Sequence, residues 1–212
     1  EEAFEKFNDN MGEIEQNLTE PLILENLIEN GDFSDGTNGW GTSGGNVEGV
    51  SIIDNTLMWT SLVANVYSSS ISTNRYLSVK ENDKIFLSFK GLNISQVCYS
   101  DSSIRMMMSS SQIIEGLNST IYETKEDYTM AGVLFYSRVA GVKSEISNIN
   151  LLNLTRIFGA GNEPTKEEMD EIINITGWFD NEYAVSNKEM FIALLNMVRK
   201  NTMAIIALGG TQ

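Results

Sequence analysis

The sequence predicts a mainly β protein: an antiparallel two-sheet sandwich with an N-terminal helix and C-terminal helices. Three observations carry that reading. Between residues 22 and 157, short runs of alternating apolar residues are separated by clusters of Gly, Asn, Asp and Ser. No proline falls in that stretch. No helical period interrupts it either, which argues against a parallel sheet built from strand–helix–strand units.

Taken in order, residues 1–19 place Phe4, Phe7, Met11, Ile14 and Leu18 at spacings of three and four. That is a helical stripe with charge on its other face, weakened by Gly12, and it suits a helix lying on its own domain or joining an oligomer. Candidate strands follow at Leu24–Asn30, Val47–Ile53, Thr56–Ser61, Val66–Ser72, Tyr76–Val79 and Lys84–Lys90. Further candidates are Gln96–Tyr99, Ile104–Met108, Thr120–Glu123, Met130–Ser137 and Ser144–Leu154. In Lys84–Lys90, Ile85, Leu87 and Phe89 share one face, and Phe86, Ser88 and Lys90 the other, the period of a half-buried strand. Ile146, Ile149 and Leu151 keep that period only if a bulge shifts the phase between them. The triplet Met106–Met108 alternates faces in a regular strand, so one side at most is core. Cys98 reads as a small buried hydrophobe.

The period changes after residue 157. Thr165 with Glu168 fits a capping box, and Glu167, Glu168 and Asp170 load the first turn against the helix dipole. Met169, Ile172 and Ile173 form the apolar face of that helix, and Gly177 supplies its stop. Ser186–Lys200 gives a second amphipathic helix whose stripe is wider than one sheet needs. With the apolar tail Met203–Leu208, it points to burial against another subunit. The chain thus divides into 1–21, an N-terminal helix and assembly segment; 22–157, the sandwich; 158–180, a linker and short acidic helix; and 181–212, a C-terminal amphipathic helix and apolar tail.

Composition excludes several chemistries. A formal net charge of -15 repels phosphate backbones and disfavours nucleic-acid binding. The chain has no histidine, which removes Ser-His-Asp and Cys-His machinery and every His-ligated zinc site. One cysteine excludes an intrachain disulfide framework. No apolar run reaches the ~18 residues of a membrane span, so no membrane insertion is expected. The opening Glu-Glu carries no signal peptide and no initiating Met, which reads as a processed or partial chain. The glycine-rich stretches 41–45 and 159–164 match no phosphate-binding loop and read as turns. Acidic residues crowd the termini and the 163–171 helix rather than facing one another, so the chain reads as no enzyme.

Three segments carry a resemblance. NLIENGDFSDGTNGW (26–40) and RYLSVKENDKIFLSFKG (75–91) resemble signatures of galactose-binding-like, carbohydrate-binding-module jelly rolls. SEISNINLLNLTRIFGAGNEPTKEEMDEI (144–172) resembles a tail that follows such jelly rolls in structural proteins of phages of Gram-positive bacteria. The resemblance implies a jelly roll on a virion appendage such as a tail fibre, baseplate or head fibre, located on the extracellular particle. It also implies a structural calcium ion, for which Asp32 fits the first-turn position and Asn148 and Asn150 stand where the late partner commonly is acidic. No cofactor is required.

Sugars stack on exposed aromatics and need polar donors and acceptors beside them. Tyr99 beside Asp101 and Tyr136 beside Arg138 read as mixed surface positions of that kind, and Trp59 joins them as a candidate. Leu57 and Trp59 share a face, however, so an inward Leu57 takes Trp59 into the core. Trp40 reads as a core anchor. The functional expectation is a virion structural protein that binds other virion proteins, self-associates (a trimer above all) and takes host-surface glycan through the jelly roll. The alternative is a carbohydrate-binding module of a secreted bacterial glycoside hydrolase.

Overall fold

A computed structural model describes residues 21–43, 45–63, 70–73, 77–100, 104–109, 111–130, 132–137, 139–186, 188–189 and 192–193. In chain order the strands are β1 (Leu22–Glu25), β2 (Trp40–Ser43), β3 (Val47–Ile53), β4 (Thr56–Ser61), β5 (Ser70–Thr73), β6 (Leu77–Val79) and β7 (Lys84–Leu92). They continue with β8 (Gln96–Ser100), β9 (Ile104–Met108), β10 (Gly116–Glu123), β11 (Tyr128–Met130), β12 (Gly132–Tyr136), β13 (Lys143–Asn153) and β14 (Glu182–Val185). Helices α1 (Leu154–Phe158) and α2 (Lys166–Thr176) lie between the last two strands.

Two five-stranded sheets form the sandwich. Sheet I has the order β10-β7-β13-β4-β3, and sheet II the order β2-β5-β12-β8-β9. Every described pairing is antiparallel, and the chain crosses repeatedly from one sheet to the other. The expected mainly β, antiparallel architecture with few helices is what the chain adopts. The N-terminal stripe of residues 1–19 lies outside the described residues. So does most of Ser186–Lys200, where the backbone is helical at 188–189 and 192–193. That helix opens on a second capping box: Ser186 N–H donates to Glu189 Oε2 (2.8 Å) and Glu189 N–H to Ser186 Oγ (3.3 Å).

The core between the sheets draws on both. Ile85, Leu87 and Phe89 of β7 meet Val97, Val133 and Phe135 of sheet II, with Leu57, Trp59, Ile146, Ile149 and Leu151 around them. The rings of Phe89 and Phe135 pack edge to face at 5.1 Å. The phase shift foreseen in β13 is present. Its register against β7 breaks between Ser147 and Asn150, and Asn148 takes φ 54°, so Ile146, Ile149 and Leu151 all reach the core.

Two expectations fail for stated reasons. Strand β7 is buried on both faces, because Phe86 enters a second core with Leu24, Leu152, Leu154, Met169, Ile172, Ile173, Phe179 and Val185. Helix α2 and the β1–β14 pair cover that end of sheet I, and a single strand's alternation does not say what lies over its outer side. Met107 and Met108 are both core residues, although they are consecutive. Between the pairs Val97–Met108 and Cys98–Met106 the register slips, and Met107 is the extra residue of that bulge. Strand β14 also stands where a helix-and-tail segment is expected to begin. It pairs Leu22 with Val185 and Glu25 with Glu182.

Buried side-chain amides weld the layers. Asn26 Nδ2 donates to the carbonyls of Ile149 (3.1 Å) and Phe179 (2.9 Å), while its Oδ1 accepts from Ile28 N–H (3.1 Å) and Leu151 N–H (2.9 Å). One side chain thus joins the start of the fold, the β13 bulge and the segment after α2. Gly31 fits the same joint, where an added Cβ would lie 2.5 Å from the Ile149 carbonyl oxygen and 2.8 Å from the Trp178 indole nitrogen. The NLIENGDF segment is therefore structural. Asn30 closes the following turn, donating to Gly36 O (2.9 Å) and Asn38 O (2.9 Å) and accepting from Asp35 N–H (2.9 Å). Trp40 is a core anchor, its indole N–H on Asn30 O (3.0 Å) and its ring 5.0 Å from that of Phe33.

Candidate functional site

The outer side of sheet I builds a broad recess with helix α2. Leu117 and Ser119 of β10, opposite Lys90 and Ser88 of β7, line one side of it. Helix α2 packs over Phe86 and Ile121 and lines the other side. Between the helix and β10 lies a cleft of about 580 Å³.

Helix α2 is fixed at both ends. Thr165 Oγ1 accepts from Glu168 N–H (3.3 Å), and Glu168 Oε2 accepts from Thr165 N–H (2.7 Å), the capping box read from the sequence. Gly177 ends the helix, its N–H on Ile173 O at 2.8 Å. Ahead of the cap, Glu163 ties the GAGNEP turn to the sandwich. Its carboxylate accepts from Thr155 Oγ1 (2.8 Å), Gly161 N–H (2.9 Å) and Lys84 Nζ (3.2 Å), and Thr155 Oγ1 in turn accepts from Lys84 N–H (2.9 Å). The residue's own backbone N–H, then Thr155, then Lys84 and Gly161 hold the Glu163 carboxyl down to about 2.

The two walls differ in chemistry. The helix wall presents Glu167, Glu168, Asp170 and Glu171, together with Lys166 and Asn174. Asp170 is paired with Lys166 at 2.7 Å. The sheet wall presents Ile114 (67% exposed), Leu117 (43% exposed), Gln112, Asn118 and Ser119, and it holds no acid. The Asn118 amide is spent on the local chain, donating to Ile114 O (2.8 Å) and Gly116 O (2.9 Å) and accepting from Ile114 N–H (2.8 Å). Among the described residues, Ser119, Glu167 and Asn174 make no side-chain hydrogen bond, and they stand beside the two aliphatic side chains. All the carboxylates come from one wall, so no pair faces across the cleft as glycoside hydrolysis needs.

The sequence-predicted ligand residues do not meet here. Trp59 is fully buried between the sheets, as its shared face with Leu57 required, and cannot stack on a sugar. Tyr136 is also fully buried rather than a surface position. It lies with Cys98 and Leu134 in a third apolar cluster on the other side of β8 and β12. Tyr99 pairs through its backbone with Arg105 and Val133, and its side chain, with Asp101 and Arg138, lies outside the described residues. The cleft went unread because its walls come from segments some 50 residues apart, and no local spacing signals that.

Of the residues expected to hold calcium, Asp32 and Asn150 make hydrogen bonds within the chain. Asp32 Oδ1 accepts from Ser34 N–H (3.1 Å) and Ser34 Oγ–H (2.9 Å). Asn150 is interior, with Oδ1 on Asn26 Nδ2 (3.3 Å) and its amide on Ser88 Oγ (3.2 Å). Asn148 sits on the bulge. No group of three His, Cys, Asp or Glu side chains suited to a metal occurs among the described residues.

No family model matches the chain, and no curated protein does. Among solved structures it is similar to a mutant of a carbohydrate binding module family 29, at 15% identity and TM-score 0.38 over 55% of this chain and 81% of that one. It is also similar to a family 29 module complexed with cellulohexaose, at 13% identity and TM-score 0.40 over 64% of this chain and 92% of that one. A third, complexed with mannohexaose, is 15% identical with TM-score 0.38 over 55% and 81%. Likeness of that degree identifies no ligand and no family.

Proposed function

We propose that the chain is a non-catalytic binding module of a virion appendage, self-associating and docked to neighbouring virion proteins, with a host-surface carbohydrate as its ligand. The cleft between α2 and β10 carries this reading. It offers an uncommitted amide (Asn174), hydroxyl (Ser119) and carboxylate (Glu167) beside the apolar surface of Ile114 and Leu117, the mixture that a sugar's hydroxyls and C–H faces require. Its acids stand on one wall, which favours holding a glycan over cleaving it. The virion context rests on the resemblance of residues 144–172, the same segment whose Glu163 fixes the cleft's helical wall. Weak single sites multiplied over many copies would give such a particle its grip.

The test is a bacterial-surface glycan array probed with the wild-type chain and with Asn174→Ala/Ser119→Ala, alongside the mass of the chain in solution. Binding to a glycan that falls at least tenfold in the double variant is the expected result. An array blank for the wild type removes the carbohydrate ligand. A monomer that binds glycan transfers the chain to the alternative, a targeting module of a secreted hydrolase.

A further inference from the structure

A second recess lies at the other edge of sheet I. Among the described residues, β3 and β2 are edge strands of sheets I and II, pairing only with β4 and β5. Between them opens a pocket of about 160 Å³, lined by Thr37, Trp40, Gly41, Thr42, Val50 and Leu57.

Its walls are set by the fold. The Trp40 ring is fixed from behind by the Asn30 carbonyl (3.0 Å) and by the rings of Phe33 (5.0 Å) and Phe135 (6.2 Å). Leu57, fully buried, is the floor. Gly49, at φ 62°, makes the bulge that breaks the β3–β4 register between Glu48 and Ser51 and turns Val50 toward the mouth, 40% exposed. Thr37 and Thr42 are exposed and are the polar side chains of the lining. An apolar cavity of about 150 Å³ takes one benzene ring, so this pocket has the volume of one six-membered ring.

We infer that this pocket is a second carbohydrate subsite, taking a single pyranose ring. The ring's C–H face lies on Val50 at the mouth, above the buried Trp40 and Leu57, and its edge hydroxyls bond Thr37 and Thr42. The inference rests on the carbohydrate reading above and extends it: the chain holds sugar at two opposite edges of one sheet, through the long cleft and through a one-ring pocket.

The test is a methyl-resolved NMR titration of the full chain with methyl glycosides of glucose, galactose, mannose and N-acetylglucosamine, with phenol as an apolar control. The inference expects one glycoside to shift the Val50 and Leu57 methyls. Val50→Phe, which fills an exposed mouth, should weaken that response at least tenfold, and Thr42→Val should weaken the glycoside several-fold while sparing phenol. Asn174→Ala, in the other cleft, should leave it unchanged. Shifts confined to the α2 cleft overturn the second subsite alone, as do shifts from phenol alone. If no glycoside shifts either place, the inference falls, and a blank array would fell the carbohydrate reading with it.

Discussion

On its inner side β7 gives Ile85, Leu87 and Phe89 to the sandwich core; on its outer side it gives Phe86 to the layer of α2, β1 and β14, and then Ser88 and Lys90 to polar surroundings. The inner core is assembled from alternate residues of both sheets, so many strands share each contact. The outer core depends on one capped helix, one carboxylate latch and one buried asparagine. What separates them is the number of independent supports, and the cleft is walled by the layer with fewer.

Paired truncations on β7 test that difference most severely. Phe86→Ala should cost about 3–5 kcal/mol and Leu87→Ala about 2–5 kcal/mol by chemical denaturation, since both are fully buried. Hydrogen exchange on Phe86→Ala should show α2 and β14 losing protection before β8 and β12. Simultaneous loss throughout would mean the two cores are one cooperative unit. Asn26→Ala comes next. It strands the Ile28 and Leu151 N–H groups and the Phe179 carbonyl, leaves the Ile149 carbonyl with the Trp178 indole N–H alone (3.0 Å), and should cost about 3 kcal/mol. A cost below about 1 kcal/mol would show that the outer layer is held without this joint.

The smallest effect belongs to Glu163. Its carboxyl is held at about 2, below the usual 4.5, so the fold favours the ionised form. That contribution is complete above pH 4.5 and is lost as pH falls toward 2. Wild type should therefore exceed Glu163→Gln in stability at neutral pH, and the gap should narrow between pH 4.5 and pH 2 in thermal melts. A gap constant over that window would remove the charge from the latch.

Much of this was legible in the sequence, and unevenly. Val47–Ile53, Thr56–Ser61 and Ile104–Met108 are strands within the limits their alternation set, and the Thr165–Glu168 box starts α2 where its spacing indicated. Local signals of that kind need no partner. Phe86, Tyr136 and Met107 depend instead on what lies across from them, and there the alternation of one strand misleads. The cleft is the extreme case, because Leu117 and Asn174 acquire a common purpose only after α2 settles on β10.

The β1–β14 pair has a mechanical consequence. The chain enters β1 at Leu22 and leaves β14 at Val185, and those two residues are cross-strand partners at the same end of the ladder. Tension applied through them would peel the pair one hydrogen-bonded rung at a time instead of shearing all rungs together. Under load the outer layer would yield first, with the two large sheets still intact behind it.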